Sequence, residues 1–416
     1  MEPRASGRVV VTGIGAVTPL GTGIEQAWPK ILAGENAVDN ITIMDTSDYS
    51  TRFAAEVRDF NPEDWVDRKE AKRLDRFIMY GVAASRMALD DSGFPLNDDN
   101  RDWVGALVGS GIGGHNVLAE NAHRLIEGGP SRVSPFFVPY IIPDMASGMT
   151  SITLGLRGPS TCVVTACATG TDSIGDAYHM IKRGDAIAML AGGTEAAINE
   201  LGLSGFCAAR AMSTRNDDPK HASRPFDADR DGFVMGEGAG VLMLEDYDHA
   251  VARGAKIYGE VVGYGFTSDA HHITAPHPEG EGAVRAMRNA LNRAGITTEQ
   301  VGYINAHGTS TQLNDKGETA AVKKLFGETA YKIPMSSTKS MIGHTLGATG
   351  ALEAIFCLLA MRDGILPPTI NYETPDPECD LDYITEGARK ADVQYSLSNS
   401  FGFGGHNACL VLKRDA

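Results

Sequence analysis

Short β-branched runs alternate with helix-length stretches along the whole chain, and they do so in two successive series. In the first, residues 8–12, 103–108, 186–191 and 239–245 read as strands, and 75–91 and about 171–183 as helices. The second starts near Lys256, with strands at 256–263, 301–305, 394–399 and 407–412 and helices at 281–294, 315–326 and 347–362. Such alternation predicts an α/β fold with largely buried sheets. Each series opens with a strand that runs into a Gly-rich turn, VVVTG at 9–13 and VVGYG at 261–265. That parallel predicts an internal duplication joined near residue 250, and no low-complexity linker separates the halves, which therefore pack as one rigid body. A length of 416 residues suits two domains or one double unit. The loop-like stretches 210–231 and 128–143 are long enough to line a site. The chain contains 48 glycines, an excess that points to many tight turns and close backbone approaches.

Charge and composition narrow the function classes. Lys plus Arg number 37 against 53 Asp plus Glu, a net charge of −16 that argues against a nucleic-acid binder. No stretch approaches the roughly 18 apolar residues of a membrane span, and the N-terminal segment lacks a signal-peptide core. The six cysteines include no CxxC pair, so neither a disulfide scaffold nor a zinc ribbon is expected. A reduced, cytoplasmic enzyme is the expectation.

Five segments bear on the chemistry. GSGIGG at 109–114 follows a strand and formally matches GxGxxG, but a dinucleotide site needs a helix and a second strand next. Pro130, Pro135, Phe136, Phe137 and Pro139 follow instead. VVTACATG at 163–170 is an apolar run that breaks at small residues before a helix, which places Cys167 at a helix N-terminus. Unpaired N–H groups there favour a thiolate. An ordinary thiol is only about 3% ionised at pH 7, and two pKa units of depression would leave most of it as thiolate. The alternative is a buried structural cysteine, the reading for Cys162, Cys207, Cys357 and Cys409. His307 ends a strand beside a glycine, and Lys339 and His344 share a loop just before a helix. A metal reading of these histidines lacks HExxH or facial-triad spacing. NSFGFGGHN at 399–407 holds an aromatic between glycines, which suits a mobile gate whose backbone N–H points into a site.

Together these segments resemble the β-ketoacyl-acyl-carrier-protein synthases, condensing enzymes of fatty-acid synthesis in the thiolase-like superfamily. The resemblance runs from VVVTGIGAVTPLG at 9–21 through TACATG, RPFD at 224–227, DRDGF at 229–233, MGEGAG at 235–240, NAHGTST at 305–311 and STKSMIGHTLGATGALEA at 337–354 to FGFGGHN. It is closest to the elongating synthase II type with a Cys-His-His centre; His344 argues against the Cys-His-Asn types. This chain departs at His406, where many relatives have a small hydroxyl residue, at Phe226, where tryptophan is common, and at Gln312, where proline is common.

The resemblance implies a layered α-β-α-β-α fold of two halves, residues 1–254 with the nucleophile and 255–416 with the two histidines. It implies an acyltransferase that joins an acyl group on Cys167 to malonyl carrier with loss of CO2. His307 and His344 would donate to the enolate, Lys339 would orient them with Glu353 as counter-ion, and the N–H groups of Cys167 and Phe403 would form the oxyanion hole. Thr309 and Thr311, at strand-like spacing, would bind the pantetheine arm, Ile112, Phe137 and Phe206 would line the acyl tunnel, and Phe401 would also touch substrate. No metal or organic cofactor is required. The implied partners are an acyl carrier protein and a second copy of the chain in a homodimer, with no nucleic acid and no membrane. Lys69, Lys72, Arg73 and Arg76 would form one basic helix face, which with Arg210 would dock the acidic carrier. Competing readings are a polyketide or mycolate-type ketosynthase subunit and a non-catalytic chain-length-factor partner. The latter lacks the nucleophile, and a thiolase proper would need a second cysteine near the C-terminal glycine loop.

Overall fold

The computed structural model describes residues 6–415. Ten strands form one continuous path: β1 (Val9–Thr18), β2 (Val104–Gly109), β3 (Ser160–Thr161), β4 (Ala188–Glu195), β5 (Gly238–Asp246), β6 (Gly259–Ser268), β7 (Tyr303–Asn305), β8 (Met335–Ser336), β9 (Tyr395–Gly402) and β10 (His406–Arg414). Their order is β8-β7-β9-β10-β6-β1-β5-β4-β2-β3. Read outward from the centre, the path is a palindrome. On each side the two inner junctions are antiparallel and the two outer ones parallel. β1 and β6 meet antiparallel at the middle, as two copies of one half related by a twofold would. The duplication read from the two series is therefore present in the topology.

Helices complete the layers. α1 (Arg68–Ala71), α2 (Arg76–Ser92), α3 (Phe137–Ile141), α4 (Thr169–Arg183), α5 (Glu281–Ala294), α6 (Gln312–Phe326) and α7 (Thr349–Asp363) are the ones that matter here. α2 covers β1 and β5, α5 covers β6 and β10, and α4 and α7 cross in the middle between the two half-sheets. α7 is buried on nearly every side, from Thr349 through Met361, as an apolar helix at the centre of a layered fold must be. The two central helices start alike. Ala168-Thr169-Gly170 and Ala348-Thr349-Gly350 each open a helix of 15 residues. Two residues before each of those alanines the chain takes a left-handed turn, at Ala166 (φ 52°) and Leu346 (φ 49°).

Two expectations are corrected. The Gly-rich stretches of the two series are not turns: both lie inside strands, β1 and β6. A Cβ on Gly13 would sit 2.1 Å from the Ala88 carbonyl oxygen, and one on Gly263 would sit 2.2 Å from that of Ala290. Glycine is needed there because a helix backbone lies directly on the strand. Nor do Lys69, Lys72, Arg73 and Arg76 share one helix face. α1 ends at Ala71, and α2 starts afresh after Asp75, whose carboxylate accepts from Phe77 N–H, Val117 N–H and Asn116 Nδ2. That pinned cap breaks the helix. Arg76 turns inward to Glu237 at 2.9 Å and Tyr80. Lys69, Lys72 and Arg73 remain exposed, and no helix among the described residues is long and apolar enough to cross a membrane.

Candidate active site

The site forms where the two halves meet. Cys167 lies in a 3-10 turn, Ala166–Ala168, that leads straight into α4. His307 follows β7, and His344 lies in the loop that leads through a matching turn into α7. One ring nitrogen of each histidine and the Cys167 Sγ lie within 4.8 Å of one another. His344 Nε2 is 3.0 Å from Sγ. The Leu346 backbone N–H donates to His344 Nδ1 at 3.2 Å, and the Thr349 hydroxyl lies 3.0 Å from the same atom. Nδ1 is thus an acceptor, and in the neutral ring the proton resides on Nε2, which donates toward the sulfur.

Burial governs the protonation states. Both histidines are held well below the usual imidazole range by burial and by the Lys339 ammonium behind them, and His307 further by its neighbour. They are neutral donors. Cys167 behaves otherwise than its helix-terminal position alone predicts. Burial pushes its thiol up to about 12, against the pull of Lys339 and of the Phe403 and Cys167 backbone N–H groups. The free thiol is therefore the resting form, and those two N–H groups surround the sulfur where an anion would develop. Lys339 Nζ is bonded to Glu353 Oε1 at 2.5 Å, with both side chains buried; the counter-ion is the expected one. The same ammonium opposes a metal cation among Cys167, His307 and His344, although their spacing would admit one.

A cavity of about 690 Å³ opens onto the sulfur. Ile112, Phe206, Arg210, Phe233, Thr309, Thr311, Phe401 and Phe403 line it. The Thr309 and Thr311 hydroxyls are 3.0 Å apart. Their shared direction comes from a loop with Ser310 at φ 67°, not from a strand. Phe401 packs edge-on to His307 at 5.6 Å between ring centroids, and Phe403 is 37% exposed. Phe137 lies elsewhere, on α3, packed against the core beneath α2; within one chain it does not reach this cavity. Of the basic residues, Arg210 stands on the rim. Lys72 and Arg73 line a separate cavity of about 700 Å³ with Arg124 and Arg132, and Lys69 is exposed on α1.

Three further residues shape the site: Arg230 lies in the DRDGF motif without an assigned role, and Glu318 and Glu195 carry no local signal in the sequence. Buried Glu318 on α6 accepts from the backbone N–H groups of His307 and Gly308 at 2.9 and 2.8 Å. Buried Arg230 donates to the carbonyls of Thr311 and Gln312, and so holds the threonine loop. Buried Glu195 binds the GSGIGG loop: Ser110 Oγ, Gly111 N–H and Ile112 N–H all donate to its carboxylate. The GxGxxG match therefore cradles a protein carboxylate.

Residues 6–250 match the family described as Beta-ketoacyl synthase, N-terminal domain, and residues 258–373 the family described as Beta-ketoacyl synthase, C-terminal domain. The chain is 54% identical over 407 residues to a 3-oxoacyl-[acyl-carrier-protein] synthase 2 from Synechocystis sp., covering 98% of both chains. Identity is also 54%, over 408 residues and 98% of both chains, to the synthase 2 from Staphylococcus aureus. Among solved structures, it superposes with a TM-score of 0.91 and 33% identity on a chain from a type II polyketide acyl-carrier protein in complex with its ketosynthase, covering 98% of this chain and 99% of that one.

Proposed function

The chain belongs to the β-ketoacyl synthase family, and from that membership and the geometry around Cys167 we propose that it elongates acyl chains in fatty-acid synthesis. It is an acyltransferase that condenses an acyl-enzyme with malonyl-acyl-carrier protein to give 3-oxoacyl-carrier protein and CO2. The observation that carries the reading is one thiol with two neutral imidazoles facing a single cavity. Near-identical length and 54% identity to the synthase 2 relatives favour fatty-acid elongation over a specialised ketosynthase.

Each step follows from the named groups. In the first, Cys167 Sγ attacks the thioester carbonyl, and the N–H groups of Cys167 and Phe403 hold the oxyanion. The C–S bond to pantetheine breaks, and the thiol proton ends on the departing pantetheine sulfur. In the second, malonyl carrier enters, its terminal C–C bond breaks and CO2 leaves. The electron pair forms an enolate whose oxygen receives the Nε2–H of His344 and an N–H of His307. In the third, the enolate carbon attacks the acyl carbonyl on Cys167. A C–C bond forms, the Cys167–acyl bond breaks, and one proton from solvent restores the thiol. Desolvation makes the two neutral donors effective, because nothing else competes for the developing charge.

Lys339 keeps both rings unprotonated; Thr309 and Thr311 hold the pantetheine arm, and Ile112, Phe206 and Phe401 flank the acyl chain. Phe403, between two glycines, gates the entrance. Residues 1–254 and 255–416 act as the two halves of one catalytic unit. An acyl carrier protein is the partner: the solved neighbour is described as a ketosynthase with its carrier, and Lys69, Lys72, Arg73 and Arg210 present positive charge on a net-acidic surface. A homodimer accounts for the remainder. The edge strand β3 lies open, Ile152 and Val164 are exposed in the segments that flank it, and Val138 and Ile142 are exposed on and after α3; a twofold partner there would also bring Phe137 to a neighbouring tunnel. Purified protein given malonyl carrier and a ladder of acyl primers tests the reading by mass spectrometry. Products two carbons longer with a 3-oxo group are expected, and their absence with every primer would overturn it.

A further inference from the structure

One buried carboxylate in the cavity has no part in the three steps above. Glu195, at the end of β4, is fully buried and borders the cavity that holds Cys167. Four donors from two separate segments converge on it. From the acyl-pocket side come Ser110 Oγ at 2.6 Å, Gly111 N–H at 2.9 Å and Ile112 N–H at 3.3 Å. From the histidine side comes Gly347 N–H at 3.0 Å. Both backbones approach closely enough to require glycine. A Cβ on Gly111 would lie 2.8 Å from a Glu195 oxygen, and one on Gly347 would lie 2.7 Å from it.

The contact continues to the nucleophile. Gly347 follows Leu346, whose own N–H donates to His344 Nδ1 and so fixes which ring nitrogen bears the proton. His344 Nε2 then faces Cys167 Sγ. The acyl-pocket residue Ile112 is thus joined to the sulfur by an unbroken run of hydrogen bonds, part-buried at Ile112 and buried from Gly347 to the sulfur, and two peptide units. We propose that Glu195 is a positioning residue that couples filling of the acyl pocket at Ile112 to the placement of the His344 ring. A chain long enough to press on Ile112 moves the 110–112 loop. Glu195 transmits that displacement to Gly347 and Leu346, and the Nε2–H is carried into or out of line with the enolate oxygen. A carboxylate suits this task because it accepts all four donors at once, which an amide cannot do. The inference rests on the condensation reading above and adds a coupling within it.

The test uses full-length enzyme carrying an acetyl or a decanoyl group on Cys167, mixed with malonyl carrier in single turnover. For wild type, the condensation rates of the two acyl-enzymes should differ. Glu195→Gln should shrink the ratio of those rates roughly fivefold, in the range expected for directly coupled groups. Acylation of Cys167 should change less. Ser110→Ala removes one donor and keeps the carboxylate; it should shrink the ratio in the same direction by less, and it carries the test if the Gln variant does not fold. A variant that slows both acyl-enzymes by the same factor, or leaves the ratio intact, overturns the coupling. Equal wild-type rates for both chains overturn it too, while condensation itself still stands. If wild type condenses neither, the functional reading falls first.

Discussion

Replacing either histidine with alanine should separate the two partial reactions. The structure gives the reason: His307 and His344 are neutral, buried and turned toward one point beside the sulfur, and each offers one N–H to an enolate oxygen. A preorganised donor to a developing oxyanion is worth about 3 kcal/mol, or roughly a hundredfold in rate. CO2 release from malonyl carrier should therefore fall about a hundredfold in His307→Ala and by a similar factor in His344→Ala. Acyl transfer to Cys167 relies on the Cys167 and Phe403 N–H groups and on Lys339, none of which is removed. It should fall less than about tenfold. Release of labelled CO2 measures the first reaction, and the intact mass of the acylated protein measures the second. Losses of the same size in both reactions, for both variants, would refute the division of labour.

Other outcomes follow from the same geometry. Because burial pushes the Cys167 thiol up to about 12, its alkylation by iodoacetamide should rise close to tenfold per pH unit from 7 to 9; a plateau near pH 7 would show a depressed thiol instead. Lys69→Glu with Lys72→Glu should raise KM for acyl carrier severalfold, with kcat for a small pantetheine thioester unchanged. Salt should erode the wild-type advantage for carrier as the Debye length shortens to about 8 Å, and equal losses on both substrates would place docking elsewhere. Gly263→Ala drives a Cβ to 2.2 Å from a helix carbonyl, so thermal unfolding should register a loss of about 3 kcal/mol; a neutral result would mean that α5 can lift off β6.

The reacting groups were legible because each lies in a short segment at the end of a strand or the start of a helix: Cys167 before α4, His307 after β7, Lys339 and His344 before α7. Taken singly, each of them leaves a structural reading open, and it is the resemblance carried by the motifs together that points to a site. Local sequence fails where the deciding partner is distant. Glu195 reads as an acid after an apolar run until Ser110 and Gly347 close on it from 85 and 152 residues away. The glycines of β1 and β6 read as turns because the helix backbones that require them lie more than 20 residues along the chain. The thiol of Cys167 reads as activated because a helix terminus is local and burial is not. The basic run at 68–76 reads as one helix because the Asp75 cap depends on Val117 and Asn116, contributed by another element.

The central claim is that acyl groups pass through Cys167. Incubation with acyl carrier alone, followed by proteolysis and mass spectrometry, should find the acyl group on the peptide that contains Cys167. A chase with malonyl carrier should then discharge it, with one 3-oxoacyl product released for each acyl group lost. Product formed without that intermediate, or an acyl group on another residue that discharges at the same rate, would contradict the account.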